Sequence, residues 1–264
     1  NEGIFKNIKI RREFKITALV ELYLEIDTVV LAQGKEDSDS LILFVLRDVT
    51  RERILSRLKS EFISIAAHQL RTPLSALKWA LRLVLDGDLG PLSTEQKDYI
   101  QSGYDTNERM IGLVNDLLNV SRIEEGRFEF VFEEEDLAAL AEATVDSFKD
   151  IASQKKISLS FSKPGKPPPP LKFDRPKIQM VLQNLIENAL DYTPAGGTVE
   201  VSVSGDDNNA EVSVRDSGIG VASGDRKFLF TKFHRSAEAS KMQPNGSGLG
   251  LFLAQNIVHG HHGR

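Results

Sequence analysis

Two long amphipathic helical patterns, separated by a short loop, constrain the fold of this chain more than any other feature. In the first, apolar residues recur three and four positions apart, beginning with Leu55, Leu58 and Phe62, as in a coiled-coil seam. The second follows the loop DGDLGPLS, where Ser93 or Thr94 is suited to cap its start. Such a helical hairpin covers only half of its apolar face, so the pattern predicts that two copies pair into a four-helix bundle.

The segments on either side of the hairpin have different patterns. In residues 1–49, KITALVELYLEIDTVVLAQ and LILFVLRDVT are rich in β-branched and aliphatic residues, and GKEDSDS separates them as a turn. Two or three strands cannot bury a core alone, so this segment is expected to be the end of a larger sheet domain. Residues 131–264 alternate helical and strand patterns, which leaves residues 50–130 for the hairpin domain.

Composition excludes several classes of function. The net charge of −5 offers no basic field to attract nucleic acid. The absence of cysteine excludes disulfides and thiolate metal sites, and it fits a reducing compartment. The longest apolar run, LILFVL, is far shorter than the roughly 20 residues that span a bilayer. A cytoplasmic location is therefore predicted, with any membrane contact made only by segments outside this chain.

Three stretches of the last region predict a nucleotide site. The helical pattern RPKIQMVLQNLIENALDYT places Asn184, Asn188 and Asp191 on one flank, although this spacing alone also suits a solvated helix edge. In VSVRDSGIG a strand leads into Asp216 and two glycines, which permit close backbone approach, and an ionised Asp suits the exocyclic amine of adenine. In NGSGLGL, alternating glycines precede an apolar helix whose free N–H groups favour phosphate.

In this order and spacing, the stretches resemble the ATP-binding domain shared by histidine kinases, type II topoisomerases, heat-shock chaperones and mismatch-repair ATPases. QNLIENALDYT resembles the N box, DSGIG the G1 box, FLFTKF the F box and GSGLGL the G2 box of this Bergerat or GHKL type, which is an α/β sandwich. The resemblance implies that the ATP-binding residues are Asn184, Asn188, Tyr192, Asp216, Gly218, Gly220, Phe230, Gly246, Ser247, Gly248, Leu249 and Gly250.

The same resemblance implies two further roles. Asn188 would bind Mg²⁺ through its amide oxygen, because this ion prefers hard oxygen ligands. Arg235, just after the F box, would meet the γ-phosphate, although a surface charge in a loop is the alternative. Two departures stand out: many histidine kinases have Lys where Asp191 stands, and the sequence ends at HGHHGR, where the family usually continues into a last pair of strands.

A histidine in the first helix of the hairpin gives the second part of the prediction. On a helical wheel, His68 lies outside the apolar stripes before and after it. Pro73 helps to explain why these two stripes differ in their angular position around the helix. A lone helix histidine is usually a surface residue, but an exposed imidazole is also a good nucleophile near neutral pH. HQLRTPL closely resembles the H box of the commonest histidine-kinase class, and the strands ending in RDVT resemble the end of a PAS sensor domain.

Together these resemblances imply a sensor histidine kinase that moves the γ-phosphoryl group of Mg–ATP to His68 and then to an aspartate of a response-regulator receiver domain. Gln69 stands where the family most often has an acid that takes up the imidazole proton. Thr72 matches the position that orients water for dephosphorylating the regulator, with an ordinary helix threonine as the alternative. A non-kinase ATPase of the same superfamily and a weakly active signalling scaffold remain as other hypotheses.

The predicted fold class is therefore multidomain α+β. A PAS-like β fragment precedes an antiparallel helical hairpin that dimerises into a four-helix bundle, and an α/β sandwich ATP-binding domain follows. The predicted assembly is a homodimer.

Overall fold

A computed structural model describes residues 10–17, 21–32, 40–163, 169–206, 209–244 and 246–264. The chain divides into two compact units, Asn1–Ala66 and Ala67–Arg264. The predicted turn GKEDSDS, apart from its last residue Ser40, and most of the proline-rich stretch after Lys163 lie outside the described residues. Within the described ranges, no helix combines the length and the apolar character needed to cross a bilayer.

The first unit contains a three-stranded antiparallel sheet. Strands β1 (Ile10–Thr17), β2 (Glu21–Ala32) and β3 (Ser40–Asp48) pair in the order β1-β2-β3. The strand prediction is confirmed, while the likeness to a PAS domain stays a prediction. Four consecutive apolar side chains of β3, at positions 43–46, are each about half exposed. Successive strand residues point to opposite faces, so β3 exposes apolar side chains on both faces, as expected for part of a larger sheet.

The helical hairpin is confirmed. It consists of α1 (Thr50–Leu85) and α2 (Thr94–Glu124), and α1 runs through Pro73 without a break. Ser93 is the N-cap of α2 and forms a capping box with Gln96, with bonds of 2.9 and 3.2 Å, which decides between the two predicted caps.

Within the second unit, apolar contacts and polar bonds hold the two helices of the hairpin together. Ala67 and Leu74 of α1 pack against Val114 and Leu118 of α2. The side chain of the buried Asn107 donates a hydrogen bond of 3.0 Å to the Leu74 carbonyl.

The α/β sandwich is also confirmed. Its elements are β4 (Glu133–Glu135), α3 (Leu137–Gln154), β5 (Ser158–Ser162), β6 (Leu171–Phe173), α4 (Arg175–Tyr192), β7 (Thr198–Gly205), β8 (Ala210–Asp216), a 3-10 turn (Arg226–Phe228), α5 (Ala237–Met242) and α6 (Gly250–Gly260). Strand β7 is central, with β5 parallel on one side and β8 antiparallel on the other, and β4 pairs with β6.

The core of this domain lies between the helices and the central strand. Val145 of α3 and Ile186 of α4 pack against Val199 and Val201 of β7, and all four are fully buried. A second cluster joins α4 to α6. These contacts place α4 between α3 and α6. They leave the flank of α4 that carries Asn184, Asn188 and Asp191 outside these two clusters.

Candidate functional site

The turn after β8 is held against the end of α4 by close backbone contacts. One carboxylate oxygen of Asp216, Oδ1, accepts the N–H of Gly218 at 2.8 Å. A methyl group on Gly218 would overlap the carbonyl oxygen of Tyr192, so only glycine fits there. The N–H of Ile219 donates to the same Tyr192 carbonyl at 3.1 Å, which ties the turn to the end of α4. Asp216 is exposed, and its second oxygen is suited to accept a hydrogen bond from an amine.

A second glycine-rich segment forms the start of α6. Gly248 has a φ of +68°, and its carbonyl accepts the N–H of Phe233 at 3.0 Å, which links the segment to the end of the F box. A methyl group on Gly250 would lie 2.7 Å from the side-chain oxygen of Asn184. The predicted members of the N and G2 boxes therefore come together. No side chain caps α6, so its first N–H groups are available to an anionic ligand.

The remaining predicted ATP-binding residues lie around these two segments. Tyr192 is half-buried at the end of α4, and Phe230 is 44% exposed in the F box. Leu249 is buried, and its N–H donates to the side-chain oxygen of Ser247 at 3.2 Å. Gly220 has a φ of +65° and no nearby atoms, so its conformation rather than its space requires glycine. Their contacts with a nucleotide stay predictions.

Arg235 holds the short helix α5 in this structure. Its guanidinium donates to the carbonyl oxygens of Ala239 at 3.0 Å and Pro244 at 3.1 Å, and also to that of Gln243. Gly246 lies against the same guanidinium, where a methyl group would be 3.3 Å from it. The predicted contact of Arg235 with the γ-phosphate stays a prediction, and it would require the side chain to give up some of these carbonyls.

Charged side chains converge on one partly buried flank of α4. Asp191 forms an ion pair with Lys155, which directly follows α3. Burial raises the pKa of Glu187, the charge of Asp191 raises it further, and Lys155 opposes both. Burial also raises the pKa of Asp116, on α2, to about 6, and Glu187 adds to this rise. The sequence spacing missed Lys155 and Asp116, because both lie far from α4 along the chain.

The C-terminal half of α2 directly contacts the segments that are predicted to bind the nucleotide. Val120 packs against Leu249 and Leu253 at the start of α6. Lys232 of the F box forms an ion pair with Glu124. The packing of α2 against this domain was not predicted either.

The predicted acceptor residues lie together on α1. His68, Gln69 and Thr72 are all exposed, which confirms that the imidazole faces solvent. One turn on, Arg71 donates to the side-chain oxygen of Asn115 on α2 at 2.6 Å, so this part of α1 is fixed against its neighbour.

The donor chemistry of α4 fits the expected metal ion. Asn184 and Asn188 share one flank of α4 and both carry an amide oxygen, and that of Asn184 lies at the glycine-rich start of α6. Mg²⁺ takes oxygen ligands and usually keeps phosphate oxygens and water in its shell. The residues present are therefore suited to hold it together with a nucleotide.

Comparisons with known proteins agree with this geometry. Residues 58–126 match the family "His Kinase A (phospho-acceptor) domain", and residues 173–264 match "Histidine kinase-, DNA gyrase B-, and HSP90-like ATPase". Sensor histidine kinase WalK of Bacillus subtilis is 29% identical over 97% of this chain and 41% of its own length. Alginate biosynthesis sensor protein KinB of Pseudomonas aeruginosa is 31% identical over 84% of this chain and 36% of its own length.

A solved structure gives the same result for the fold. Full-length ShkA, in complex with AMPPNP, is 26% identical with a TM-score of 0.60, over 75% of this chain and 40% of that one. The chain spans about two fifths of the length of these relatives. A phospho-acceptor domain and an ATPase domain of this type follow each other in one chain, and the protein belongs to the sensor histidine kinases.

Proposed function

We propose that this protein phosphorylates itself on His68 with ATP and passes the phosphoryl group to an aspartate of a response-regulator receiver domain. One observation carries the proposal: an exposed histidine on a helical hairpin shares its chain with a site built from α4, the turn after β8 and the start of α6. Phosphoryl transfer depends mainly on positioning and on neutralising charge, and these two parts supply an acceptor and a holder for the nucleotide.

In the proposed complex, the ends of the nucleotide meet different elements. The free oxygen of Asp216 accepts the adenine amine, while the backbone N–H groups at the start of α6 face the phosphates. Asn188 would hold Mg²⁺, which would supply positive charge against the phosphates.

At the acceptor, a ring nitrogen of His68 uses its lone pair to form a bond to the γ-phosphorus, and the bond to the β-phosphate oxygen breaks to release ADP. The ring then loses the proton of its other nitrogen. Gln69 accepts a hydrogen bond from the ring but cannot take this proton, which therefore passes to water. Thr72, one turn from His68, is suited to orient water when the regulator is dephosphorylated.

A homodimer is part of the proposal. Apolar side chains of α1 remain exposed in the single chain, including Phe62 at 72%, Leu70 at 52% and Leu77 at 45%. Pairing of two hairpins would bury such residues in a four-helix bundle. The proposed domains are residues 1–49, 50–130 and 131–264, and the proposed location is the cytoplasm, where ATP and receiver domains are available.

Incubation with γ-labelled ATP tests the proposal. The wild-type protein should label itself, and His68→Ala should abolish labelling while ATP affinity stays nearly unchanged, because acceptor and nucleotide site lie on different elements. His259→Ala, which removes an exposed histidine of α6, is the matched control and should still label. Release of phosphate without self-labelling would indicate a non-kinase ATPase instead, and failure to bind ATP would indicate a signalling scaffold.

A further inference from the structure

Asp191 lies on the flank of α4 that borders the proposed nucleotide site. Near the middle of α4, the Asn184 side chain meets the start of α6 at Gly250. At the C-terminal end of α4, the Tyr192 carbonyl meets the turn after β8. Asp191 directly precedes Tyr192 and shares the flank of Asn184, which lies two turns earlier. A nucleotide that reaches from Asp216 to the start of α6 is therefore expected to lie near this acid.

An unpaired carboxylate at this point would oppose binding of a polyphosphate. Two like charges about 8 Å apart repel enough to lower affinity by about two- to thirtyfold, depending on how much water screens them. The loss grows with the number of phosphate charges, so it is larger for ATP than for AMP. The flank needs a cation to become compatible with a triphosphate.

Lys155 supplies that cation from another element. Its ammonium pairs with Asp191 and lies 3.5 Å from the Leu190 carbonyl, while its backbone N–H donates to Ile151 at 3.0 Å and fixes its place after α3. The side chain of Lys155 is 38% exposed and that of Asp191 is 20% exposed. The pair therefore sits at the surface of the flank, where its net charge acts on an incoming ligand.

We infer that Lys155 is a positioning residue of the nucleotide site, which pairs with Asp191 and so removes the negative charge that would repel the phosphates. This inference rests on the proposed ATP site. The expected effect is electrostatic. Loss of Lys155 should lower nucleotide affinity because Asp191 is left as an unpaired negative charge, and the decrease should grow with the negative charge of the ligand.

The test measures dissociation constants of ATP, ADP and AMP for the full chain and its variants at low ionic strength. Lys155→Gln should weaken ATP binding roughly tenfold, ADP binding less and AMP binding least. The double variant Lys155→Gln/Asp191→Asn should return to within about twofold of wild type, because both charges are then gone. Lys155→Arg keeps the charge and should bind ATP like wild type. Lys149→Gln is the matched control, since Lys149 pairs with Asp146 within α3 itself.

The outcomes distinguish a failure of the proposed ATP site from a failure of the proposed role of Lys155. A wild-type protein that binds no ATP overturns the proposed function. A wild-type protein that binds ATP, with equal losses for all three ligands in Lys155→Gln or with no recovery in the double variant, overturns the role of Lys155. If Lys155→Gln does not fold, Asp191→Asn alone decides: it should bind ATP as well as wild type or better, and weaker binding contradicts the inference.

Discussion

The packing of α2 against α4 includes an acid whose ionisation opposes folding. Burial raises the pKa of Asp116 from 3.8 to about 6, and the carboxylate of Glu187 adds to the rise. The folded state holds this proton more tightly than the unfolded chain does. The contribution of protonated Asp116 to the free energy of unfolding is therefore fully present below pH 3.8 and is lost as the pH rises through about 6. A difference of about two pKa units corresponds to about 3 kcal/mol, which becomes a penalty at neutral pH.

Asp116→Asn removes the charge and keeps the shape of the side chain. At about pH 8 it should raise the free energy of unfolding by up to about 3 kcal/mol, and at about pH 4.5 by only about 1 kcal/mol. Urea unfolding followed by far-UV circular dichroism, at several pH values in this range, measures the difference. Asp98→Asn, at an exposed position of the same helix, is the matched control and should show no comparable pH-dependent gain.

Two results would refute this reasoning. An equal gain at both pH values would mean that Asn packs or bonds better than Asp, with no contribution from charge. No gain at about pH 8 would mean that the Asp116 carboxylate is solvated in the folded protein. Glu187→Gln offers an independent check, because it removes the second cause of the raised pKa and should reduce the pH dependence that Asp116→Asn reveals.

Three further substitutions address the proposed acceptor, metal ligand and adenine turn. Gln69→Glu should speed initial self-labelling at saturating Mg–ATP by roughly tenfold, because it restores a proton acceptor next to His68, and ATP affinity should not change. Equal or slower labelling would show that the site works without a carboxylate. Asn188→Asp should lower the labelling rate at least about tenfold, since it adds negative charge beside the triphosphate, and a wild-type rate would exclude Asn188 as the metal ligand. Gly218→Ala should lower ATP affinity, measured by direct titration, at least about tenfold, because the added methyl group overlaps the Tyr192 carbonyl. The control Gly224→Ala has open space around the added methyl group and should bind ATP like wild type.

Features that depend on local spacing were predictable from the sequence. The spacing of apolar residues three and four positions apart predicted the hairpin within residues 50–130, and α1 begins at Thr50. The N-cap of α2 was narrowed to two residues, and the capping box selects Ser93. The glycines of the turn after β8 were singled out for close approach, and Gly218 does touch the end of α4. The first two features depend on residues a few positions apart, and the third was predicted from the glycine pattern of a single motif.

Features that depend on distant partners were not predictable in this way. Strands β4 and β6 have three residues each, too few to show a period, and they exist because they pair with each other. Asp191 looked like a departure from the expected positive charge, but the sequence could not show that Lys155, 36 positions earlier, reaches it. The acid pair of Asp116 and Glu187 likewise arises only when α2 packs on α4.

Some contacts between α2 and the ATP-binding domain stabilise their packing, and one destabilises it. Burial of Val120 with Leu249 favours the contact by the hydrophobic effect, and an exposed ion pair such as that of Lys232 adds little. The half-buried carboxyl of Asp116 disfavours this contact at neutral pH. Leu249 also belongs to the glycine-rich segment proposed to hold phosphate, so a nucleotide that reshapes this segment must also change its packing against α2. Opposed contributions of this kind are compatible with the proposed function, in which the ATP-binding domain moves between binding ATP and delivering its phosphoryl group to His68.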